Sequence, residues 1–335
     1  MHSQGFQRGI TLVRARGSSR TVRTTATSPG SGNFAASVCS RNLSGWVLVC
    51  SLSALGLFLS ATQPAYSADV EKARWLGPGG LPLAFKTDQE VTDFLRSARV
   101  VSSKRIGEGV NHPLKVLLEK DGIRMHAVFR NVRISKFRAR LARTTKYHFR
   151  DDALFEVAAY RLGQLLGLEN IPPVVERTLY RKRGSLQLWI ENALTEKKRR
   201  QKKLEPENRL LWQRQVQIMR VFDNLIYNED RNQGNVLFDS GWSLWMIDHT
   251  RAFRRNPELL HPNTIWRCDR TLLDKLRRLN KPALKERIGK YLHPSELNGI
   301  LKRRDLLIRH LQTLIQHRGE SAVLFDLGSR ASALS

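Results

Sequence analysis

The sequence has few cysteines, and their positions exclude a domain held together by disulfides. Of 335 residues only 3 are Cys. Cys39 and Cys50 lie in an N-terminal stretch that has the character of a leader, so only Cys268 remains beyond it. One thiol cannot form an internal disulfide, and the neighbouring residues 266–270 offer no second Cys or His for a metal site. Cys268 is therefore predicted to be structural.

Acidic residues are scarce relative to basic ones. The chain has 57 Lys and Arg against 30 Asp and Glu, a formal net charge of +27. This balance predicts attraction to anionic partners, and it leaves nucleotide phosphates, an anionic surface and an acidic polymer open. Nucleic acid is not the expected partner, because no zinc-finger or RNP motif supports it. The basic stretch at 197–203 is interpreted as a solvated loop, with an anion-docking patch as the alternative.

The first 67 residues differ in composition from the rest of the chain. Residues 1–44 contain six arginines and no acidic residue, and an apolar run follows at 46–61. Small residues at 65–67 then resemble a cleavage site. The run is slightly shorter than the roughly 20 residues of a spanning helix, so a cleaved signal peptide and a retained anchor both stay open, with a buried core helix as the less favoured alternative. We expect an exported or membrane-anchored, extracytoplasmic protein that associates with a membrane through residues 46–61.

Beyond the leader, strands come early and helices come late. An extension at 68–99 contains a capping box, Thr87 with Glu90, at the start of a short helix. Strands are predicted at 100–105, 114–119, 124–132, 174–180, 185–191, 235–238 and 244–247, and helices at 153–168, from 208 onward and within 271–316. The order predicts an α+β fold with a small β-rich lobe (100–192), a larger α-helical lobe (193–320) and a disordered tail (321–335). Ligands commonly bind in a cleft between two such lobes.

Three polar residues surround the pair of short strands at 235–247. Asp230 lies in a loop, Asn235 enters the first strand five positions later, and Asp248 ends the second strand. Because the strands of a hairpin bring Asn235 and Asp248 to adjacent ends, their oxygens can reach one Mg²⁺ that bridges phosphates. Asp230 then faces the incoming nucleophile. A Gly-Asn turn with a capping Asp and an unrelated strand end is the simpler alternative.

These residues resemble motifs of atypical kinases. Asp230-Arg231-Asn232 with Asn235, followed by 246–248, is similar to the catalytic loop and metal-binding motif of phosphatidylinositol 3-/4-kinase-like enzymes. The wider superfamily, with HipA-like bacterial kinases and FAM20-type secretory kinases, is also similar. The resemblance implies a two-lobed, protein-kinase-like fold that uses ATP and either Mg or Mn.

The same resemblance implies roles for individual residues. By position, Asp230 is the catalytic Asp, and Asn235 and Asp248 are the metal ligands. Glu156, in a stretch similar to the N-lobe helix of these kinases, is the residue that pairs with the nucleotide-binding cation. Gly107 and Gly109 belong to a short loop that would contact the nucleotide, although they form no diagnostic glycine motif.

The sequence departs from the kinase pattern at the nucleotide-binding cation. Arg130 ends the third strand, where the kinases have Lys, and its planar guanidinium is not equivalent to a compact ammonium. Lys115 and Lys136 are the alternative cations that could donate hydrogen bonds to the phosphates. Asn232 stands in place of His in the catalytic loop, and His249 follows the metal-binding Asp in place of Phe.

Residues beside the predicted site have two interpretations each. His249 is an ordinary polar residue at a strand end or, with Arg251, a contact to the transferred phosphate. Trp189 and Ile190 either pack between the lobes or line the place where adenine inserts.

The predicted function is a metal-dependent phosphotransferase. It would move the γ-phosphate of a nucleoside triphosphate to a hydroxyl of a protein, lipid or glycan. The alternative, which Arg130 leaves open, is an exported pseudokinase or anion-binding module that uses its basic surface without catalysis. Metal-dependent nucleotide binding discriminates between the two.

Overall fold

The structure is a computed structural model that describes residues 73–107, 112–141 and 144–327. All of these residues belong to one compact unit. The predicted leader, its apolar run at 46–61 and Gly109 lie outside the described residues. Within the described ranges, no helix has both the length and the apolar character needed to cross a membrane.

The first half of the described chain is mainly β-structure. In order, it contains helix α1 (Asp88–Ser97), strands β1 (Arg99–Arg105), β2 (Leu114–Lys120), β3 (Ile123–Arg130), β4 (Arg133–Leu141) and β5 (Thr144–Asp152), helix α2 (Leu154–Leu165), and strands β6 (Val174–Leu179) and β7 (Lys182–Leu188).

The second half is mainly helical. It contains strand β8 (Leu194–Thr195), helices α3 (Glu196–Gln201) and α4 (Arg209–Ile226), strands β9 (Val236–Phe238), β10 (Leu244–Met246) and β11 (Cys268–Asp269), helices α5 (Arg270–Arg278), α6 (Lys281–Ile288), α7 (Pro294–Arg318) and α8 (Glu320–Val323), and strand β12 (Leu324–Phe325). Single 3-10 turns occur at Pro78–Gly80 and Pro262–Thr264. The strand-rich and helix-rich halves confirm the predicted α+β fold.

The smaller lobe is a five-stranded sheet in the order β1-β2-β3-β7-β6. Helix α1 packs on it, and its N-terminus has the predicted capping box: Thr87 Oγ1 accepts from the Glu90 amide at 3.2 Å and Glu90 Oε2 accepts from the Thr87 amide at 2.7 Å. Alternate residues of β2 and β3, such as Val116, Leu118 and Met125, are buried beneath this helix.

A second hydrophobic core fills the larger lobe. It joins the buried faces of α4 to α7 and includes helix α2, whose Phe155 and Leu162 are fully buried. Helix α2 therefore shares a core with the larger lobe although the chain enters it from the smaller one. Cys268 is buried in the same core, and burial raises the pKa of its thiol, which agrees with a structural role.

Three parts of the chain differ from the sequence predictions. The stretch at 197–203 is not simply a loop, because Thr195 caps helix α3 and Glu196 pairs with Arg199 and Arg200 one turn later. The disordered tail predicted from 321 is wrong for residues 321–327.

The tail is ordered because its apolar residues are buried. Helix α8 is followed by strand β12, which pairs in parallel with β11, and Val323, Leu324 and Phe325 are all buried.

The third difference is the hairpin of β4 and β5, which the sequence analysis did not predict.

Candidate active site

The β9–β10 hairpin places two of the predicted site residues together. Met246 pairs with Val236, and beyond this pair the Ile247 amide donates to the Asn235 carbonyl at 3.3 Å. Asn235 and Asp248 therefore lie at the same end of the hairpin, as the sequence predicted.

Their side chains offer oxygen ligands. Asn235 Nδ2 donates to the Asp230 carbonyl at 2.8 Å, and this contact orients the side-chain amide. The Oδ1 atom of Asn235 accepts no hydrogen bond within the described residues. Asp248 has a left-handed backbone with φ of 62° and accepts a 3.4 Å hydrogen bond from Thr250 Oγ1. A left-handed non-glycine residue is uncommon, and such backbone clusters at ligand sites.

One carboxylate and one amide oxygen are a donor set that suits Mg²⁺ or Mn²⁺. No group of three or more His, Cys, Asp or Glu side chains could hold a metal in the part of the chain that the structure describes. The residues thus fit an ion that keeps water and phosphate oxygens among its ligands, which is how Mg²⁺ is usually bound at nucleotide sites. They do not form a closed all-protein cage.

Asp230 lies in the loop that precedes Asn235, close to both positive and negative side chains. Its Oδ2 is 3.3 Å from Arg251 Nη1, and Arg251 Nε donates to Asp151 Oδ2 at 2.8 Å. Burial raises the pKa of Asp230; Arg251 opposes this, while the charges of Asp248 and Asp151 raise the pKa further. A carboxylate with a raised pKa is a stronger proton acceptor than an exposed one.

The loop that carries Asp230 is fixed by Arg231. Its guanidinium binds Asp223 through two hydrogen bonds, Nε to Oδ2 at 2.9 Å and Nη2 to Oδ1 at 3.0 Å. Its Nη1 donates to the carbonyls of Asn235 at 2.5 Å and Ile247 at 2.7 Å. One side chain therefore ties helix α4 to both strand ends that carry the predicted metal ligands.

His249 connects this loop to helix α2. It is completely buried, and its Nε2 lies 3.0 Å from Arg231 Nη2 while its Nδ1 lies 3.0 Å from Glu156 Oε2. Because a guanidinium can only donate, Nε2 is the acceptor, so the hydrogen on Nδ1 points to Glu156. His249 is thus more than an ordinary polar residue at a strand end.

Glu156 and Arg130 occupy the positions predicted for the ion pair. Glu156 is fully buried, and its Oε1 lies 3.7 Å from Arg130 Nε. Burial alone would raise the pKa of Glu156, but Arg130 and the hydrogen bond from His249 hold it well below its ordinary value. Arg130 Nη1 also donates to Gln187 at 3.3 Å.

Together these contacts form a connected series, which we call the buried charge chain: Arg130, Glu156, His249, Arg231 and Asp223. The buried charge chain runs from strand β3 through helix α2 and His249 to the loop that carries Asp230 and to helix α4. It links the smaller lobe to the predicted metal ligands through one ion pair, between Arg130 and Glu156, and a series of hydrogen bonds.

The other predicted nucleotide residues are more scattered. Lys115 Nζ lies over the Trp189 ring, 4.1 Å from its centroid, and Lys136 is exposed on β4. No contact joins either lysine to Glu156 within the described ranges. Gly107 is in an exposed turn at the end of β1, and Gly109 is outside the described residues.

Sequence reasoning missed Asp151 and Asp223. Asp223 lies in helix α4, within the helix predicted from 208 onward, and the sequence analysis gave it no role. Asp151 is the next-to-last residue of strand β5 in the unpredicted β4–β5 hairpin, three positions before helix α2. An Asp-Asp pair immediately before an apolar helical segment is a signal for such a junction.

Comparison with known proteins identifies the fold. No protein-family model and no curated protein matches the sequence. Among solved structures, hydra Fam20 with sugar is similar over 73% of this chain and 94% of its own, with a TM-score of 0.55 and 16% identity.

The Golgi casein kinase is similar over 71% of this chain and 77% of its own, with a TM-score of 0.52 and 15% identity. Its structure with Mn and ADP bound gives a TM-score of 0.51 at 16% identity, over 71% of this chain and 78% of that one. At such identities the likeness concerns the fold alone. The described chain therefore has the kinase-like fold of FAM20 and Golgi casein kinases, whereas its resemblance to phosphatidylinositol kinases and HipA stays a prediction.

Proposed function

We propose that the protein is a metal-dependent phosphotransferase that moves the γ-phosphate of ATP to a hydroxyl group. The observation that carries the proposal is the placement of Asn235 and Asp248 at one end of the β9–β10 hairpin, with Asp230 in the preceding loop. This is the arrangement that phosphoryl transfer needs, because its catalysis consists mainly of positioning and charge neutralisation.

Asn235 and Asp248 would hold the metal-bound nucleotide, and the metal supplies positive charge to the phosphate oxygens. Asp230 accepts the proton of the acceptor hydroxyl while the oxygen–phosphorus bond forms and the bond to the leaving ADP breaks. The raised pKa of Asp230 suits this role. Arg251, beside Asp230, would place a cation near the transferred phosphate.

Arg130 would orient the remaining phosphates. Glu156 holds the guanidinium in the smaller lobe, as the family's Glu holds Lys. The fork of Arg can bind a phosphate through two hydrogen bonds, so the substitution alters geometry and keeps the charge. The likeness to the Golgi casein kinase with Mn and ADP bound supports Mn²⁺ as an alternative to Mg²⁺, and an extracytoplasmic site of action remains part of the proposal.

Release of ADP tests this function before any acceptor is known, because water can serve as a poor acceptor. We expect full-length protein to release ADP from ATP only when Mg²⁺ or Mn²⁺ is present, and Asp230→Asn to abolish the release. Asp274→Ala, which removes an exposed carboxylate on α5, is the matched control and should match wild type. Equal ADP release by wild type and Asp230→Asn would refute the proposal.

A pseudokinase is the second candidate, favoured by one observation. Arg130 already contacts both Glu156 and Gln187, so its guanidinium is engaged before any phosphate arrives. Nucleotide binding without ADP release, unchanged in Arg130→Lys, would support this reading. Release restored or increased by Arg130→Lys would instead show that the site is catalytic and limited by its cation.

A further inference from the structure

The β4–β5 hairpin is an exposed element between the third sheet strand and helix α2. Its two strands pair with each other, from Arg133 opposite Asp152 to Arg140 opposite Thr145, and form a separate two-stranded sheet. All residues from Arg133 to Arg138 are exposed, and the hairpin buries Ala139 and Phe149. An isolated hairpin is marginally stable in water, so this hairpin depends for its stability on contacts with the rest of the protein.

Two ion pairs fix the hairpin to the rest of the protein, one from Lys146 near its turn and one from Arg150 near its base. Lys146 Nζ lies 2.6 Å from Glu229, the residue before Asp230. Arg150 Nη1 lies 2.7 Å from Glu296 at the start of α7. Whatever the hairpin contacts is thus brought close to Asp230.

The hairpin is cationic up to Arg150, and its two acidic residues, Asp151 and Asp152, lie at its base in ion pairs with Arg251 and Arg150. Residues 133–150 contain seven Lys or Arg and no Asp or Glu. Lys136, Arg138 and Arg140 form no ion pair within the described part of the chain, in contrast to Lys146 and Arg150. A run of unpaired cations without acidic neighbours selects an anionic partner.

The same element exposes large apolar side chains. Phe137 is 71% exposed, Tyr147 60% and Ile134 38%, and the rings of Phe137 and Tyr147 are in edge contact at 6.0 Å. Phe137 is the most exposed large hydrophobic residue of the described chain. Exposed aromatic rings surrounded by cations are a feature of surfaces that enter an apolar phase beneath a charged layer.

We propose that the β4–β5 hairpin docks on an anionic lipid bilayer. Lys136, Arg138 and Arg140 would contact the headgroup phosphates, and the rings of Phe137 and Tyr147 would enter the interfacial region. An acidic polymer in water matches the charge of the hairpin but offers no apolar phase to Phe137. Of these two anionic partners, the bilayer accounts for both the cations and the rings.

This docking does not depend on the proposed phosphotransfer. It also involves a different part of the sequence from the predicted anchor at 46–61. It would place Asp230 near the membrane surface through the contact between Lys146 and Glu229. An acceptor at that surface would then reach the site without diffusing through bulk solvent.

A fluorescent probe on the hairpin tests the proposal in the full-length chain. In a background with Cys39→Ser and Cys50→Ser, the buried Cys268 does not label readily, so an NBD group can be placed at Tyr147→Cys. The control places the same group at Lys285→Cys, an exposed position on α6. Both proteins are mixed with vesicles of phosphatidylglycerol and phosphatidylcholine, or of phosphatidylcholine alone, with quenchers in the lipid chains.

We expect the hairpin probe to brighten and to be quenched from within the bilayer only on anionic vesicles, while the α6 probe does not respond. Arg138→Ala with Arg140→Ala should raise the half-saturating lipid concentration about 10- to 30-fold. Lys281→Ala with Lys285→Ala, an equal loss of charge on α6, should leave it unchanged.

Three results would overturn the proposal. A silent hairpin probe on anionic vesicles would show that the hairpin does not enter the bilayer. An equal response at position 285 would show unspecific adsorption of a basic protein. An equal change with soluble polyglutamate and no lipid would assign the surface to an acidic polymer instead.

Discussion

The buried charge chain and the β4–β5 hairpin are both rich in arginine and both contact the loop that carries Asp230, yet their arginines have opposite surroundings. In the buried chain, Arg231 has every nitrogen of its guanidinium bonded to an acceptor within the protein. On the hairpin, Arg138 and Arg140 are exposed and lack ion pairs among the described residues. Fold position, more than residue type, therefore decides whether an arginine organises a site or presents charge to a partner.

The difference has energetic consequences. Removing one member of a buried, hydrogen-bonded pair leaves an uncompensated charge and is strongly destabilising. Removing an exposed cation costs almost nothing in stability, although it changes the attraction to anionic surfaces. Four variants test this contrast between the buried site and the exposed hairpin, starting with the variant expected to have the largest effect.

Asp248→Ala should remove activity without unfolding the protein. Asp248 is only partly buried, and Arg231 holds the carbonyl of the preceding residue, Ile247. We therefore expect the substitution to remove mainly the proposed ligand of the metal-bound nucleotide. We expect ADP release to fall by about 10²- to 10⁴-fold. The measurement is the steady-state rate beside the melting temperature, and a rate within twofold of wild type would remove Asp248 from the site.

Arg231→Ala should destabilise the fold. The substitution leaves Asp223 buried without its bidentate partner and frees the carbonyls of Asn235 and Ile247. The expected loss is about 3–5 kcal/mol in the free energy of unfolding, measured by urea denaturation. Arg209→Ala, at the exposed start of the same α4 helix, is the matched control and should change little.

Glu156→Gln should reduce stability in a pH-dependent way. The pKa of Glu156 is lowered in the fold, so its charged form contributes stability that is present above its ordinary pKa of 4.5 and is lost as the pH falls through the folded value. At neutral pH the free energy of unfolding of wild type should exceed that of Glu156→Gln by about 1.5–3 kcal/mol. This difference should become smaller below pH 4.5. A gap that is constant from pH 7 to pH 3 would contradict the assignment.

Arg138→Ala with Arg140→Ala should have the smallest effect. Since neither residue forms an ion pair within the described ranges, the free energy of unfolding should change by less than about 0.5 kcal/mol. Urea denaturation measures it, side by side with Arg231→Ala. A loss of 2 kcal/mol or more, on the order of a buried interaction, would show that the hairpin's cations are structural and would erase the contrast.

The local parts of the site could be predicted from the sequence. Asn235 and Asp248 flank a short hairpin, and pairing across a hairpin is fixed by neighbouring residues, so their proximity followed from spacing. The capping box at Thr87 and Glu90 is local in the same sense. Arg130 and Glu156 needed the family resemblance, because nothing in their separation indicates contact.

The rest depends on long-range contacts that no spacing reveals. His249 bonds Glu156, 93 positions away, and Arg251 bonds Asp151, 100 positions away. The β4–β5 hairpin was missed because its exposed strands lack the alternation of buried apolar residues that identifies a strand. The order at 320–325 depends on pairing of β12 with β11, which the sequence of the tail alone does not indicate.

Metal-dependent nucleotide binding is the most direct test of the proposed site at Asn235 and Asp248, and it requires no acceptor. The melting temperature of full-length protein is measured with ATP, with Mg²⁺ or Mn²⁺ alone, and with both, beside Asp248→Ala and the exposed control Asp274→Ala. We expect the melting temperature to rise only when nucleotide and metal are both present. This rise should be kept in Asp274→Ala and should vanish in Asp248→Ala. A folded wild-type protein whose melting temperature is the same under every condition would contradict the proposed site.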